Sequence, residues 1–157
     1  MNHTSSPISE RDLPVMFSRY ELLELVGKGG MGRVFRAMLN GPAGFRKEVA
    51  LKMLLDRDGT VPLKRREQLA HEARLGGMLR HPNIVDTYEL GECDGEMFIA
   101  MEFIEGLPLS TLQFRERGLP PAAALDVLLQ IAAGLNHAHT LRIDGQLPPL
   151  VHRDLKP

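Results

Sequence analysis

The chain has 157 residues, room for one domain or a piece of a larger one. With 43% hydrophobic and 25% charged residues it can build a core, and a net charge of -1 gives no global reason to expect nucleic acid or an acidic membrane as partner. The single cysteine, Cys93, excludes an internal disulfide and a multi-cysteine zinc site, and fits a reducing, cytoplasmic setting.

Residues 1–16 are polar and rich in Ser and Pro, without the basic start and apolar run of a secretory signal, and read as a disordered lead-in. No stretch reaches the roughly 20 apolar residues that span a bilayer. From Tyr20, the runs "YELLELVG", "RVFRAML" and "EVALKMLL" alternate with "GKGGMG" and "NGPAGFRK", which predicts three antiparallel strands over 20–55. Between Pro62 and Arg80 a helix is expected, with Leu69, Ala73, Gly76 and Leu79 at helical spacing. The basic cluster from Lys64 to Glu67 reads as its solvated start. "HPNIV" ends it, because a residue before proline is pushed out of the helical region. Two further strands flank the turn Cys93-Asp94-Gly95.

After Gly106 the period becomes helical. "PLSTLQFRERG" predicts a short helix closed by Gly118. Pro120 and Pro121 open a long amphipathic helix to about Leu141, marked by Leu125, Leu128, Leu129, Ala132 and Leu135. "RIDGQLPPL" is a turn-rich surface excursion before the final "VHRDLKP". Five strands with one inserted helix, followed by helices, make an α+β fold in two lobes.

Several residues could carry chemistry. In "VGKGGMGRV", Gly27, Gly29 and Gly32 lie between two strands, where absent side chains let backbone N–H groups approach phosphate oxygens. A plain tight hairpin is the alternative. A dinucleotide fold is excluded, since it requires a helix directly after the glycines, and "RVFRAML" favours strand. Lys52 closes an apolar strand and is either a snorkelling surface lysine or a cation returning under the glycine loop. Glu72 shares a helix face with Leu69 and Leu75, as an exposed helix charge or as the partner of a sheet lysine. His137 and His139, two apart on a helix, face different ways, and no metal site is expected.

The ordered set "GKGGMGRV", "VALK", Glu72, "HPNIV", "MEF" and "VHRDLKP" resembles the eukaryotic-type protein kinases, and "GGMG" is most similar to their bacterial serine/threonine members. The resemblance covers residues 20–157. It implies a kinase-like five-stranded antiparallel lobe with one helix, then the first helices of a helical lobe. The boundaries it implies are a tail over 1–16, the first lobe and hinge over 17–104, and an incomplete second lobe over 105–157. It implies ATP as cofactor and protein Ser/Thr as substrate.

By the same resemblance, Val26, Gly27, Lys28, Gly29, Gly30, Gly32 and Val34 form the cover over ATP, with Ala50 on the adenine wall. Lys52 holds the α- and β-phosphates and is fixed by Glu72. Met101 backs the adenine pocket, and Glu102 and Ile104 form the hinge. Asp154 accepts the substrate hydroxyl's proton, and Lys156 neutralises the γ-phosphate. His152 is structural, and Arg153 resembles the arginine that pairs with a phosphorylated activation loop.

The family pattern continues with Asn, then D-F-G and A-P-E, which these residues do not contain. Mg²⁺ is expected for the family, but its ligands are among the missing residues. Positioning and charge stabilisation carry phosphoryl transfer, so the isolated chain is expected to turn over poorly or to act as a non-catalytic nucleotide-binding module. Leu125, Leu128, Leu129, Ile131 and Leu135 are expected to be partly uncovered, at about 1.5–3 kcal/mol for each large side chain left unburied.

Overall fold

Glycine-bearing turns between short apolar runs produce one antiparallel sheet. The structure is a computed structural model that describes residues 8, 10–29, 32–54, 61–113 and 119–142. The strands are β1 (Val15–Phe17), β2 (Tyr20–Gly29), β3 (Gly32–Asn40), β4 (Arg46–Leu54), β5 (Thr87–Cys93) and β6 (Glu96–Glu102). Their order across the sheet is β1-β2-β3-β4-β6-β5. The helices are α1 (Leu63–Met78), α2 (Leu109–Gln113) and α3 (Pro121–Thr140). Contacts divide the chain into two units, residues 1–78 with 86–104 and residues 79–85 with 105–157. The segment 79–85 thus groups with the second unit, although the sequence reading kept it in the first.

The sheet has six strands where five were expected. The extra one, β1, lies partly inside the segment that composition marks as a lead-in, and Val15 and Phe17 pair with Leu22 and Tyr20. Three residues are too few for a period of two to show in the sequence. A 3-10 turn at Glu10–Asp12 precedes it, and Ile8, Leu13 and Val15 pack against the core.

Successive side chains of a strand point to opposite faces, so the sheet is built as two surfaces. On one face Leu22, Phe35, Val49, Leu51, Met53 and Phe98 form the larger core, each 3% exposed or less. On the other, Leu54 and Ile99 meet Leu69 and Ala73 of α1, joined by Val61, Met97 and Met101. Helix α1 approaches β5 closely, because Gly76 faces Thr87 where a Cβ would lie 2.3 Å from the hydroxyl oxygen. At the start of α1, Lys64 and Arg65 are exposed, while Arg66 reaches Glu92 at 2.7 Å and the Gly95 carbonyl at 3.2 Å.

The sheet is coiled. Strands β2 and β5 lie four spacings apart, roughly 19 Å in a flat sheet. Yet the Tyr20 hydroxyl donates to the Glu89 carboxylate at 2.5 Å, and Arg19 donates to the same oxygen at 2.5 Å. Twist brings the two regions together. Burial, and then the hydrogen bond to Glu89, push the Tyr20 phenol up to about 12. Burial alone would raise the Glu89 carboxyl, but the bonds from Tyr20 and Arg19 outweigh it and hold the group below its ordinary value.

In the second unit, α3 packs on the 79–85 segment through its small and polar positions. A Cβ on Gly134 would lie 3.2 Å from the Asn83 carbonyl oxygen. Asn83 donates to Gln130 at 3.0 Å, and the His81 and His137 rings stand 5.2 Å apart. Pro121 occupies the first helical turn, where a missing N–H costs nothing. Leu125, Leu128, Leu129 and Ile131 are exposed and Leu135 is half-buried. Gly118 and "IDGQLPPL" lie outside the described residues.

A phenol with a raised folded pKa contributes stability that is complete below the unfolded pKa of 10.0 and is lost as pH rises toward about 12. Urea midpoints of the wild type should therefore fall between those pH values relative to Tyr20→Phe, and curves that stay parallel would refute this role. At neutral pH the same substitution should cost about 1–3 kcal/mol, since it strips a partner from Glu89.

Candidate functional site

The β2–β3 hairpin pairs Gly29 with Gly32, Lys28 with Arg33 and Gly27 with Val34. Two residues of β2 oppose one of β3 between Leu25 and Gly27, so Val26 sits in a bulge and is 46% exposed. Gly29 has open space where a side chain would be, and Gly27 makes only ordinary contact with Val34. Gly32 differs from both, because a Cβ there would lie 2.1 Å from the Met53 carbonyl oxygen. Only glycine lets β3 lie this close to β4. Lys28 is exposed, and Gly30 lies outside the described residues.

Pairing carries this geometry across the sheet. Gly27 opposes Val34, Val34 opposes Lys52, and Lys52 opposes Ile99. Ala50 opposes Met101 one step along, 8% exposed, and Met101 is half-buried against the α1 cluster. Val34, Ala50, Lys52 and Met101 therefore share one face. Lys52 Nζ donates to Glu72 Oε1 at 2.7 Å and to Oε2 at 2.8 Å. Lys52, Leu54, Arg65, Gln68, Leu69 and Glu72 line a cleft between β4 and α1. Sequence reading missed Arg65 and Gln68, although their spacing from Glu72 on one helix face was the available signal.

At the end of β6, the Glu102 N–H donates to the Asp86 carbonyl at 2.9 Å, and its carboxylate accepts from the Asp86 N–H at 3.3 Å. Ile104 follows the strand, 59% exposed, with no backbone hydrogen bond among the described residues. Asp154 and Lys156 lie outside the described residues, as do His152 and Arg153. Among the described residues no three His, Cys, Asp or Glu side chains converge as a metal site would require. None of their helices is long and apolar enough to cross a membrane.

A family model described as the protein kinase domain matches residues 20–157. The chain belongs to the protein kinase family. It is similar to the serine/threonine-protein kinase PknH of Mycobacterium tuberculosis, 38% identical over 90% of this chain and 21% of the relative. It is 37% identical to PrkC of Bacillus subtilis, also named a serine/threonine-protein kinase, over 88% of this chain and 20% of that one. MasK of Myxococcus xanthus, named a tyrosine-protein kinase, is 37% identical over 98% of this chain and 25% of its own length. The chain thus spans a fifth to a quarter of these curated relatives. Among solved structures, the PknI kinase domain of M. tuberculosis matches with a TM-score of 0.67 at 27% identity, covering 96% of this chain and 56% of that one. The fold is that of the N-terminal part of a kinase domain, a family that uses ATP and Mg²⁺.

The glycines of this kinase hairpin should separate by their surroundings. Gly32→Ala forces β3 away from β4 and is expected to cost about 1–3 kcal/mol in urea denaturation. Gly29→Ala meets open space and should change stability by less than about 1 kcal/mol. Equal losses at both positions would contradict the geometry.

Proposed function

We propose that this chain grips ATP for phosphoryl transfer to serine or threonine of a protein substrate in the cytoplasm. The observation that supports it most is the bidentate contact of Lys52 with Glu72 on the same sheet face as Val34 and Ala50. An ammonium held by a carboxylate is aimed as well as charged, and remains able to meet phosphate oxygens with its third proton. The pair is open to solvent, with the Lys52 side chain 22% and that of Glu72 51% exposed. Such pairs contribute only about 0–1 kcal/mol to stability. A structural role explains little of it.

In this reading the backbone N–H groups around Gly27, Gly29, Gly30 and Gly32 close over the phosphates, with Lys28 beside them. Val26, Val34, Ala50 and Met101 supply the apolar wall for the base. In this reading Ile104 and the Glu102 carbonyl meet the base edge, the Glu102 N–H being engaged by the Asp86 carbonyl. Asp154 serves as proton acceptor and Lys156 as charge neutraliser.

A second reading, nucleotide binding without efficient transfer, rests on the same Lys52–Glu72 contact, which can meet phosphate oxygens whether or not transfer follows. Thermal shift with ATP, with and without Mg²⁺, tests the common core of both. A wild-type midpoint that rises with ATP is expected, together with at least a tenfold loss of affinity in Lys52→Met, the size of a charge-assisted contact. Glu72→Ala should lower the midpoint of the free protein by no more than about 1 kcal/mol equivalent. ATP response identical in wild type and Lys52→Met would sink the proposal. Labelled phosphate recovered on serine or threonine separates the kinase from the binding module, and recovery on tyrosine alone would overturn the substrate class.

A further inference from the structure

Arg33 directly follows Gly32, opposite Lys28 of β2 and Met53 of β4, with its side chain on the face away from Lys52. It is the one charged residue among the buried described residues, 7% exposed. Its guanidinium lies over the Phe35 ring, 5.7 Å from the centroid. Nη1 donates to the backbone carbonyl of Ile8, which packs against the same core. Nε and Nη2 are buried with no partner among the described residues.

Stability is a poor reason for this arrangement. A buried charge with two unpartnered N–H groups is costly, and an apolar side chain of similar volume is commonly neutral or stabilising in its place. What the guanidinium supplies is a connection. It joins the segment before β1 to the last residues of the hairpin, beside the glycine turn.

We propose that Arg33 is a positioning residue that ties the Ile8 segment to the β2–β3 hairpin and so fixes, from behind, the strand residues 25–29 and 32–36 that carry Gly27, Gly29 and Gly32. The consequence for ATP rests on the nucleotide reading above; the tether itself does not. The segment before β1 acts as a strap on one side of the sheet while the ligand is gripped on the other.

Hydrogen exchange on the full chain, with Arg33→Met, Ile8→Ser and the double variant, tests this. Arg33→Met should accelerate exchange at residues 25–29 and 32–36 by about tenfold, the scale of one hydrogen bond to a charged group, and leave β5 and β6 unchanged. Its thermal midpoint should hold or rise. Ile8→Ser should give the same local acceleration, and the double variant no more than the larger single effect, as coupled sites do. Unchanged hairpin exchange, additive effects, or acceleration spread through β5 and β6 with a lower midpoint would each overturn the tether. ATP affinity should fall severalfold in Arg33→Met. If the wild type binds no ATP while the exchange pattern holds, the nucleotide reading fails and the tether stands.

Discussion

The alternation of strand β4 governs everything else in the first unit. Val49, Leu51 and Met53 are fully buried on one face, while Ala50, Lys52 and Leu54 look toward α1. Any slip of one residue exchanges these sets and drives an ammonium into the larger core. The cost of that exchange fixes the register, and the register delivers Lys52 to Glu72. A polar contact on one face is thus held in place by oil on the other.

Energies of very different size divide the labour between the faces. Each large apolar side chain in the core contributes about 1.5–3 kcal/mol, and that cluster holds many of them. The exposed ion pair is worth about 0–1 kcal/mol. The acid and the base of the pair are passengers of the sheet and helix, so their geometry is free to serve a ligand without weakening the fold. Arg33 inverts the usual pattern, with a charge placed among the apolar residues and only one of its donors engaged by the strap.

Much of this was legible in the sequence, because strong periodicity and glycine punctuation coincide there. Strands β2 to β6 and helices α1 and α3 follow runs long enough to show their period, and Lys52 and Glu72 were singled out before any geometry. The short strand β1 escaped, since three residues between Pro14 and Ser18 carry no readable pattern. Arg33 escaped for another reason. A lone arginine after glycine reads as surface charge, and only the fold shows that Ile8 returns over it. The Tyr20–Glu89 contact depended on sheet coiling, which no local pattern encodes.

The connection between β3 and β4 has its own meaning. Pro42–Gly44 make a 3-10 turn in which Ala43 and Gly44 take positive φ, and Phe45 stands 55% exposed beside it. Length can change at this outer turn without altering which residues face inward. A single codon gained or lost inside β4 ahead of the lysine would instead invert the parity of the positions between them. Variation among natural versions of this lobe should therefore collect at the turn, and indels within the strands should be rare or come in twos.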